Sequence, residues 1–142
     1  MIICLVSDAA YLVLPNALSR CAALFILTNK PTTHPPQSTP NDPLHVMVKT
    51  IKGVTASASE PQTNGIFLGA QEACPIINSL TEVGHPQPVT GTPLETEKTT
   101  ANDILTAQVH IKLSKAFDMR YHWIKDRISQ KKNQFIMGKR KT

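Results

Sequence analysis

The sequence predicts an α/β domain, in which a mixed β-sheet carries helices packed on it. Two observations support this class. The chain opens on a near-continuous apolar run from Ile2 to Val6, which is typical of a strand buried on both faces in the middle of a sheet. After Ser57 the apolar spacing changes to that of helices. The 142 residues predict a single domain, 1–142, large enough to bury roughly two-thirds of its unfolded surface.

The first half of the chain predicts three strands. After the opening run, PNALSR marks a turn, and CAALFILT predicts a second strand antiparallel to the first. Residues 30–43 hold five prolines and predict an irregular surface loop. Residues 44–51, LHVMVKTI, predict a strand at the sheet edge. Its faces alternate: His45, Met47 and Lys49 on one, Val46 and Val48 on the other.

The second half predicts helices joined by short strands. Ser59 and Gln62 form a capping-box pattern with Pro61 in the first turn, so a helix is expected from about residue 60 to about 82, bent at Pro75. Its predicted buried stripe is Phe67, Ala70, Cys74 and Ile77.

Four further elements follow that helix. PLET predicts a very short fourth strand, and residues 96–106 predict a short helix. Residues 112–130 predict the last helix, and QFIM predicts a fifth strand. The last helix has a predicted buried stripe of Phe117, Tyr121, Ile124 and Ile128, with Lys115, Lys125 and Lys132 outside it.

The charge is concentrated at one end. Net charge is +5, yet the basic segment 112–142 alone carries ten of the fifteen Lys and Arg against two acids. Such an end favours a polyanionic partner, and a solvated helix face is the alternative. Within it Lys125, Arg127, Lys131 and Lys132 lie near Tyr121 and Trp123 and are candidates to contact a phosphate backbone. For Arg120 we expect an ion pair with Asp118, with nucleic-acid contact as the alternative.

Cysteine usage indicates an intracellular protein, cytoplasmic or nuclear, without a disulfide partner. Cys4, Cys21 and Cys74 are an odd number in separate apolar settings, and no CxxC pair occurs. The N-terminus lacks a basic n-region and Asp8 interrupts its apolar run, so we expect no signal peptide. No run reaches the ~18 apolar residues of a membrane span. The sequence does not predict an oligomeric state.

Asp8 is the first candidate site residue. A carboxylate in or beside the core costs several kcal/mol unless a cation or hydrogen-bond donors meet it. A capped or paired aspartate and a metal ligand both satisfy that requirement. The five histidines lack ligand spacing, and the sequence has no Gly-rich phosphate loop, GxSxG elbow or HExxH helix.

Several strings together resemble a known family. They are SDAAYL, NALSRCAALFILTN, TIKGVTASASE leading into FLGAQEACPI, GHPQP, and LSKAFDMRYHWIKDRI. In this order and spacing the chain resembles the ribonuclease H domain of copia-type retrotransposon polyproteins. The resemblance implies a mixed five-stranded sheet with helices on both faces. It also implies metal-dependent hydrolysis of the RNA strand of an RNA–DNA hybrid, in which acids hold two Mg²⁺ (or Mn²⁺) ions.

Only part of the family's set of site residues is matched in this sequence. Asp8 matches the first-strand aspartate, whereas the essential helix glutamate falls on Gln62 and Glu60 matches a less critical acid. The third position, an aspartate in the family, falls on Glu97, which together with Asp8 would be the remaining metal ligands. The fourth acid and the final helix would lie beyond QFIMGKRKT, so we expect a degenerate, C-terminally truncated domain.

Three functions follow as hypotheses. The first is a remnant ribonuclease H whose catalysis is lost or nearly so, with metal weakly bound or not bound. The second is a non-catalytic module that binds hybrid or duplex nucleic acid through residues 112–141. The third is a relic reading frame without a role. Salt-dependent binding of a hybrid separates the second from the third, and metal-dependent turnover supports an enzyme.

Overall fold

The computed structural model describes residues 1–28, 40–55, 57–88, 92–96, 115–130 and 133–135. Its strands are β1 (Ile2–Leu14), β2 (Leu18–Thr28), β3 (Pro40–Ile51), β4 (Thr92–Thr96) and β5 (Asn133–Phe135). Its described helices are α1 (Ser59–Glu82) and α2 (Lys115–Ser129). These strands form one sheet in the order β3-β2-β1-β4-β5. The predicted mixed α/β class is therefore confirmed.

The opening run forms the central strand. β1 pairs antiparallel with β2 and parallel with β4. Ile2, Ile3, Cys4 and Leu5 are all buried, so both faces of this half of β1 are covered, as predicted. A short 3₁₀ turn, Pro15–Ala17, connects β1 to β2, and Asn16 adopts φ 62° there, a left-handed conformation that asparagine tolerates well.

The third strand is longer than predicted. β3 begins at Pro40, so the last four residues of the predicted loop 30–43 belong to a strand, and residues 29–39 lie outside the described residues. Proline is tolerated because β3 lies at the sheet edge, where a missing N–H need not break a ladder bond. The alternation of faces is confirmed, since Met47 is 4% exposed while Val46 and Val48 are each 58% exposed.

Helix α1 matches its predicted span, but its N-terminal capping and the orientation of its buried face differ from the prediction. Its N-cap is Ala58 and no side chain caps it, so the Ser59–Gln62 capping box is wrong. The Gln62 side chain instead reaches β1. The buried face is also rotated from the predicted stripe: Ile66, Gly69, Ala70 and Ala73 are buried, and Phe67, Cys74 and Ile77 are only partly buried. The rotation arises because α1 lies against the sheet on one side and against α2 on another.

The last part of the chain is described only in segments. Thr96, the predicted start of a helix over 96–106, is the final residue of β4, and the rest of that prediction lies outside the described residues. Helix α2 covers Lys115–Ser129 of the predicted 112–130, and residues 112–114 lie outside the described residues. Tyr121 and Ile124 are buried and Ile128 is partly buried, as predicted, whereas the Phe117 side chain is outside the described part. β5 overlaps the predicted strand QFIM at Gln134 and Phe135.

The main core lies between one face of the sheet and the two described helices. Leu5, Ala23, Phe25 and Leu94 from the strands meet Ile66, Tyr121 and Ile124 from the helices. Helices on the opposite face, which the resemblance implies, would fall outside the described residues. Neither of the described helices is both long and apolar enough to cross a membrane.

Candidate functional site

Asp8 lies on β1 beside the core, with its side chain in solvent. The buried residue at this point is its neighbour Ser7. Asp8 Oδ1 accepts a hydrogen bond from the Ala9 backbone N–H at 2.8 Å. On the other side of β1, Ser7 is in register with Thr96 at the end of β4. Asp8 therefore follows the last pair of the parallel β1–β4 ladder, at the carboxyl end of β4, and α/β sheets commonly bind ligands at such an end.

Gln62 brings α1 to this edge. Its Nε2 donates to Asp8 Oδ1 at 3.3 Å and to the Ala9 carbonyl oxygen at 3.0 Å. The carbonyl can only accept, which fixes the amide orientation with its N–H group toward β1. Two of the predicted site residues, Asp8 and Gln62, are thus brought together across 54 positions of sequence. The third, Glu97, lies outside the described residues and follows Thr96 directly.

Three buried oxygens beside Asp8 have no hydrogen-bond partner within the described parts of the chain. They are Ser7 Oγ, Gln62 Oε1 and Thr96 Oγ1. A buried polar atom without a hydrogen-bond partner destabilises the folded chain by about 1–3 kcal/mol. Folded chains therefore retain such atoms where water or another group can form the missing bond. All three are neutral oxygens.

A glycine allows α1 to approach this edge closely. A Cβ at Gly65 would lie 3.0 Å from Ser7 Oγ and 3.2 Å from Cys21 Cβ. One turn later, a Cβ at Gly69 would lie 2.9 Å from Leu5 Cδ2. Any larger residue would push the helix away from β1 and lengthen the Gln62–Asp8 contact.

An irregularity in β1 follows the site. The pairing with β2 shifts between Ala10 and Leu14, and Leu12 adopts a left-handed backbone with φ 51°. The Leu12 N–H donates to Ser19 Oγ at 3.0 Å, and Ser19 Oγ also bonds Thr55 Oγ1 at 3.0 Å. Bulges of this kind commonly lie next to functional sites, where they redirect a strand.

The possible metal ligands among the described residues do not fit a two-ion magnesium site. Two Mg²⁺ ions require several oxygen ligands with negative charge. Among the residues that the structure describes, no group of three His, Cys, Asp or Glu side chains could hold a metal ion. Gln62 directs an N–H group toward Asp8, and an N–H group cannot ligate a cation.

Three of the five predicted nucleic-acid residues, Arg120, Lys125 and Arg127, lie over aromatic rings on α2 or α1. The Arg120 guanidinium lies 5.7 Å from the centre of the Phe67 ring, and Phe67 packs edge-on against Trp123 at 5.1 Å. Arg127 lies 4.8 Å from Trp123, and Lys125 lies 5.1 Å from Tyr121. Arg120 also donates to Asn64 Oδ1 at 2.5 Å, which links α2 to α1. The Asp118, Lys131 and Lys132 side chains lie outside the described part of the chain.

Solved structures share this architecture. Ribonuclease H1 from the halophilic archaeon Halobacterium salinarum aligns with a TM-score of 0.58 at 8% identity, over 97% of this chain and 86% of that one. LC11-RNase H1 in complex with an RNA/DNA hybrid aligns with a TM-score of 0.55 at 12% identity, over 97% and 86%. The ribonuclease H domain of Mycobacterium tuberculosis rv2228c gives 0.51 at 10%, over 94% and 83%. The chain has a ribonuclease H-like fold.

No protein-family model matches the chain, and no curated protein matches it either. The ribonuclease H-like fold therefore rests on structure. Within this fold, sequence reasoning found Asp8 and Gln62 but missed Ser7, Thr96 and Gly65. The Gly65 and Gly69 pair, four residues apart on a helix, was the available signal, because small residues at this spacing let a helix approach its neighbour closely.

Proposed function

We propose that this chain is a ribonuclease H-like domain in which hydrolysis of the RNA strand of RNA–DNA hybrids is lost or nearly lost. The observation that carries the proposal is the hydrogen bond from Gln62 Nε2 to Asp8 Oδ1. An amide donor at this position holds the Asp8 carboxylate through its own N–H group. The site thereby lacks the charge that a second carboxylate would supply to a divalent cation.

The origin is part of the same proposal. The quoted strings support descent from the ribonuclease H of a copia-type retrotransposon, where the domain acts within a reverse-transcription polyprotein. An intracellular location, cytoplasmic or nuclear, is consistent with three cysteines that form no disulfide. Reverse-transcriptase coding sequence in the same genomic reading frame would support this origin, and an unrelated genomic context would count against it.

Cleavage of a labelled RNA–DNA hybrid in Mg²⁺ and in Mn²⁺ tests the loss of activity. We expect no metal-dependent cleavage by the unmodified chain. The double variant Gln62→Glu, Glu97→Asp restores the two acids that the resemblance implies, and we expect it to bind Mn²⁺ more tightly, measured by titration calorimetry. Gln71→Glu on the exposed side of α1 is the matched control and should change neither readout. Robust cleavage by the unmodified chain would overturn the proposal.

A second candidate function is nucleic-acid binding without catalysis. The row of Arg120, Phe67, Trp123 and Arg127 favours it, because cations and partly exposed rings are the groups that contact phosphates and unstacked bases. Lys125 and Arg127, which lie over the Tyr121 and Trp123 rings, are the described cations that we assign to a phosphate backbone, and Arg120 bonds Asn64.

Fluorescence anisotropy with a labelled hybrid at several salt concentrations tests the binding function. Arg127→Ala and Lys125→Ala should each weaken binding and reduce the salt dependence by about one counterion. Arg20→Ala is the control, since Arg20 is an exposed cation on β2, outside the row. An equal effect of Arg20→Ala, or affinity that does not depend on salt, would contradict this function and favour a relic without a role.

A further inference from the structure

The second half of helix α2 carries a cation placed over an aromatic ring. The Arg127 guanidinium lies 4.8 Å from the centre of the Trp123 ring, and both residues are partly exposed. Trp123 packs against the hydrophobic core and meets the Phe67 ring edge-on at 5.1 Å. The Trp123 ring is therefore held from the core side, and the guanidinium forms the solvent-side layer of this stacking pair.

The other two cation–ring contacts are less accessible to a ligand. Lys125 lies 5.1 Å from the centre of the Tyr121 ring, but Tyr121 is only 7% exposed. Arg120 lies over Phe67 and donates to Asn64 Oδ1, so its guanidinium joins α2 to α1. Of the three contacts, the stacking pair is the one that combines a partly exposed ring with a cation on its solvent side.

The charge of Arg127 is available to a ligand. Its neighbour in sequence, Asp126, is exposed, and Asp126 Oδ2 accepts a hydrogen bond from Gln130 Nε2 at 2.8 Å. Within the described ranges, the ion pair is that of Lys49 with Glu72, so no carboxylate described by the structure pairs with Arg127. A phosphate group can therefore approach this cation.

A guanidinium stacked on a ring suits an unpaired base. The group is planar, delocalised and weakly hydrated, and it stacks on flat aromatic surfaces. Bases of single strands stack on such planes and on aromatic side chains, whereas the bases of a double helix are already stacked on each other. A hybrid therefore offers the stacking pair only its phosphates, while a single strand offers both phosphates and the face of a base.

We propose that the stacking pair binds one unpaired base of single-stranded RNA or DNA, with the base on the solvent-side plane of the Arg127 guanidinium. The inference rests on the nucleic-acid-binding function proposed above and makes a single strand, rather than a hybrid, its preferred ligand. Met119 lies one turn before Trp123 and is 77% exposed, so an apolar side chain is available beside the base.

Substitution of Arg127 by lysine separates stacking from charge. Arg127→Lys keeps the positive charge and removes the planar group, so phosphate contacts remain and stacking is lost. Fluorescence anisotropy compares a labelled DNA strand with an abasic strand of equal length, which has the same phosphates without bases. The unmodified chain should bind the intact strand at least about fivefold more tightly, and Arg127→Lys should abolish this difference. An RNA strand of the same sequence forms a second arm with the same expected result.

Salt and tryptophan emission give two further readouts. The affinity for a hybrid should fall more steeply with salt than the affinity for a single strand, because a duplex releases more counterions per phosphate contact and stacking releases none. The single strand should therefore be the tighter ligand as the salt concentration rises. Trp123 is the single tryptophan of the chain, so its emission should change when the intact strand binds and not when the abasic strand binds.

Arg20→Lys is the matched control, since Arg20 is an exposed cation on β2, and it should leave both affinities unchanged. Circular dichroism verifies that each variant remains folded. Full affinity of Arg127→Lys for the intact strand, or equal binding of the intact and abasic strands, would overturn stacking while leaving the proposed binding function in place. Failure of every strand and of the hybrid to bind at low salt would overturn both.

Discussion

At the scale of single residues, the Gln62 amide determines which groups Asp8 contacts on α1. Gln62 donates to Asp8 and to the Ala9 carbonyl, and these bonds hold the beginning of α1 against β1. Gln62 is buried, and its amide is uncharged. It therefore satisfies two hydrogen-bond acceptors without neutralising the Asp8 charge. The same position would tolerate a carboxylate only with a cation or a proton to accompany it.

Gln62→Glu should make folding stability depend on pH. Burial and the nearby Asp8 charge will hold the pKa of the introduced carboxyl above its ordinary value. The folded state then binds this proton more tightly than the unfolded state, so the loss is small in acid and grows as the pH rises. We expect a loss of about 1–3 kcal/mol near neutral pH.

Urea unfolding at acidic and neutral pH measures this loss, with Gln71→Glu as the exposed control. Because bound metal stabilises the folded state, millimolar Mn²⁺ should recover part of the loss in Gln62→Glu. A pH-independent loss would mean that the introduced side chain leaves the site for solvent.

Gly69→Ala tests the close approach of α1 to β1. The new methyl would lie 2.9 Å from Leu5 Cδ2 and 3.3 Å from Ala23 Cβ, in a core where Leu5 is fully buried. The overpacking should cost about 1–3 kcal/mol, although alanine regains up to ~1 kcal/mol of helix propensity. Thermal unfolding measures the net loss. Leu5→Val added to Gly69→Ala should cost less than the two changes summed, and strict additivity would contradict the contact.

At the scale of elements, the β1–β2 hairpin is shaped by a side chain rather than by its turn. Leu12 is held in a left-handed conformation, which costs an L-residue roughly 1–2 kcal/mol. Ser19 compensates: its hydroxyl accepts from the Leu12 N–H and also bonds Thr55, which follows β3. One buried serine therefore joins three segments of chain.

Ser19→Ala should destabilise the hairpin end near the site. The substitution leaves the Leu12 N–H and the buried Thr55 hydroxyl without a partner, at a cost of about 1–3 kcal/mol. Hydrogen exchange by NMR should show faster exchange at Leu12 than in the unmodified chain. Ser57→Ala, at an exposed serine whose hydroxyl bonds the Ser59 hydroxyl, is the control and should change little.

At the scale of the whole molecule, the packing of the sheet against the helices buries the Cys21 and Cys74 thiols to different extents. Cys21 is fully buried against Gly65, and burial raises the pKa of its thiol. Cys74 lies on α1 and is only partly buried. The reaction of the Cys21 thiol with an alkylating reagent therefore reports separation of α1 from the sheet.

Iodoacetamide labelling followed by mass spectrometry should modify Cys74 first. Cys21 should react only as urea unfolds the whole chain, with the same midpoint as circular dichroism, because alkylation requires an accessible thiolate. Labelling of Cys21 well below that midpoint would show that α1 separates from the sheet in a local step.

Much of the architecture could be predicted from sequence because it depends on local patterns. Apolar alternation located β3 at the edge and assigned its two faces, and the run from Ile2 to Leu5 identified the central strand. The capping of the helix was mispredicted for a physical reason. Ser59 and Gln62 match a capping box, but Gln62 forms a tertiary hydrogen bond with β1 instead.

The sequence by itself determined the order of the described strands and helices, the antiparallel pairing of the first two strands and two candidate site residues, because periodicity and turn residues act over a few neighbours. Tertiary structure alone decided which way the Gln62 amide points, which oxygens lie buried around Asp8, and how closely α1 approaches β1. These depend on contacts between residues more than fifty positions apart. No local pattern encodes such contacts, since they form only when the sheet and the helix pack together.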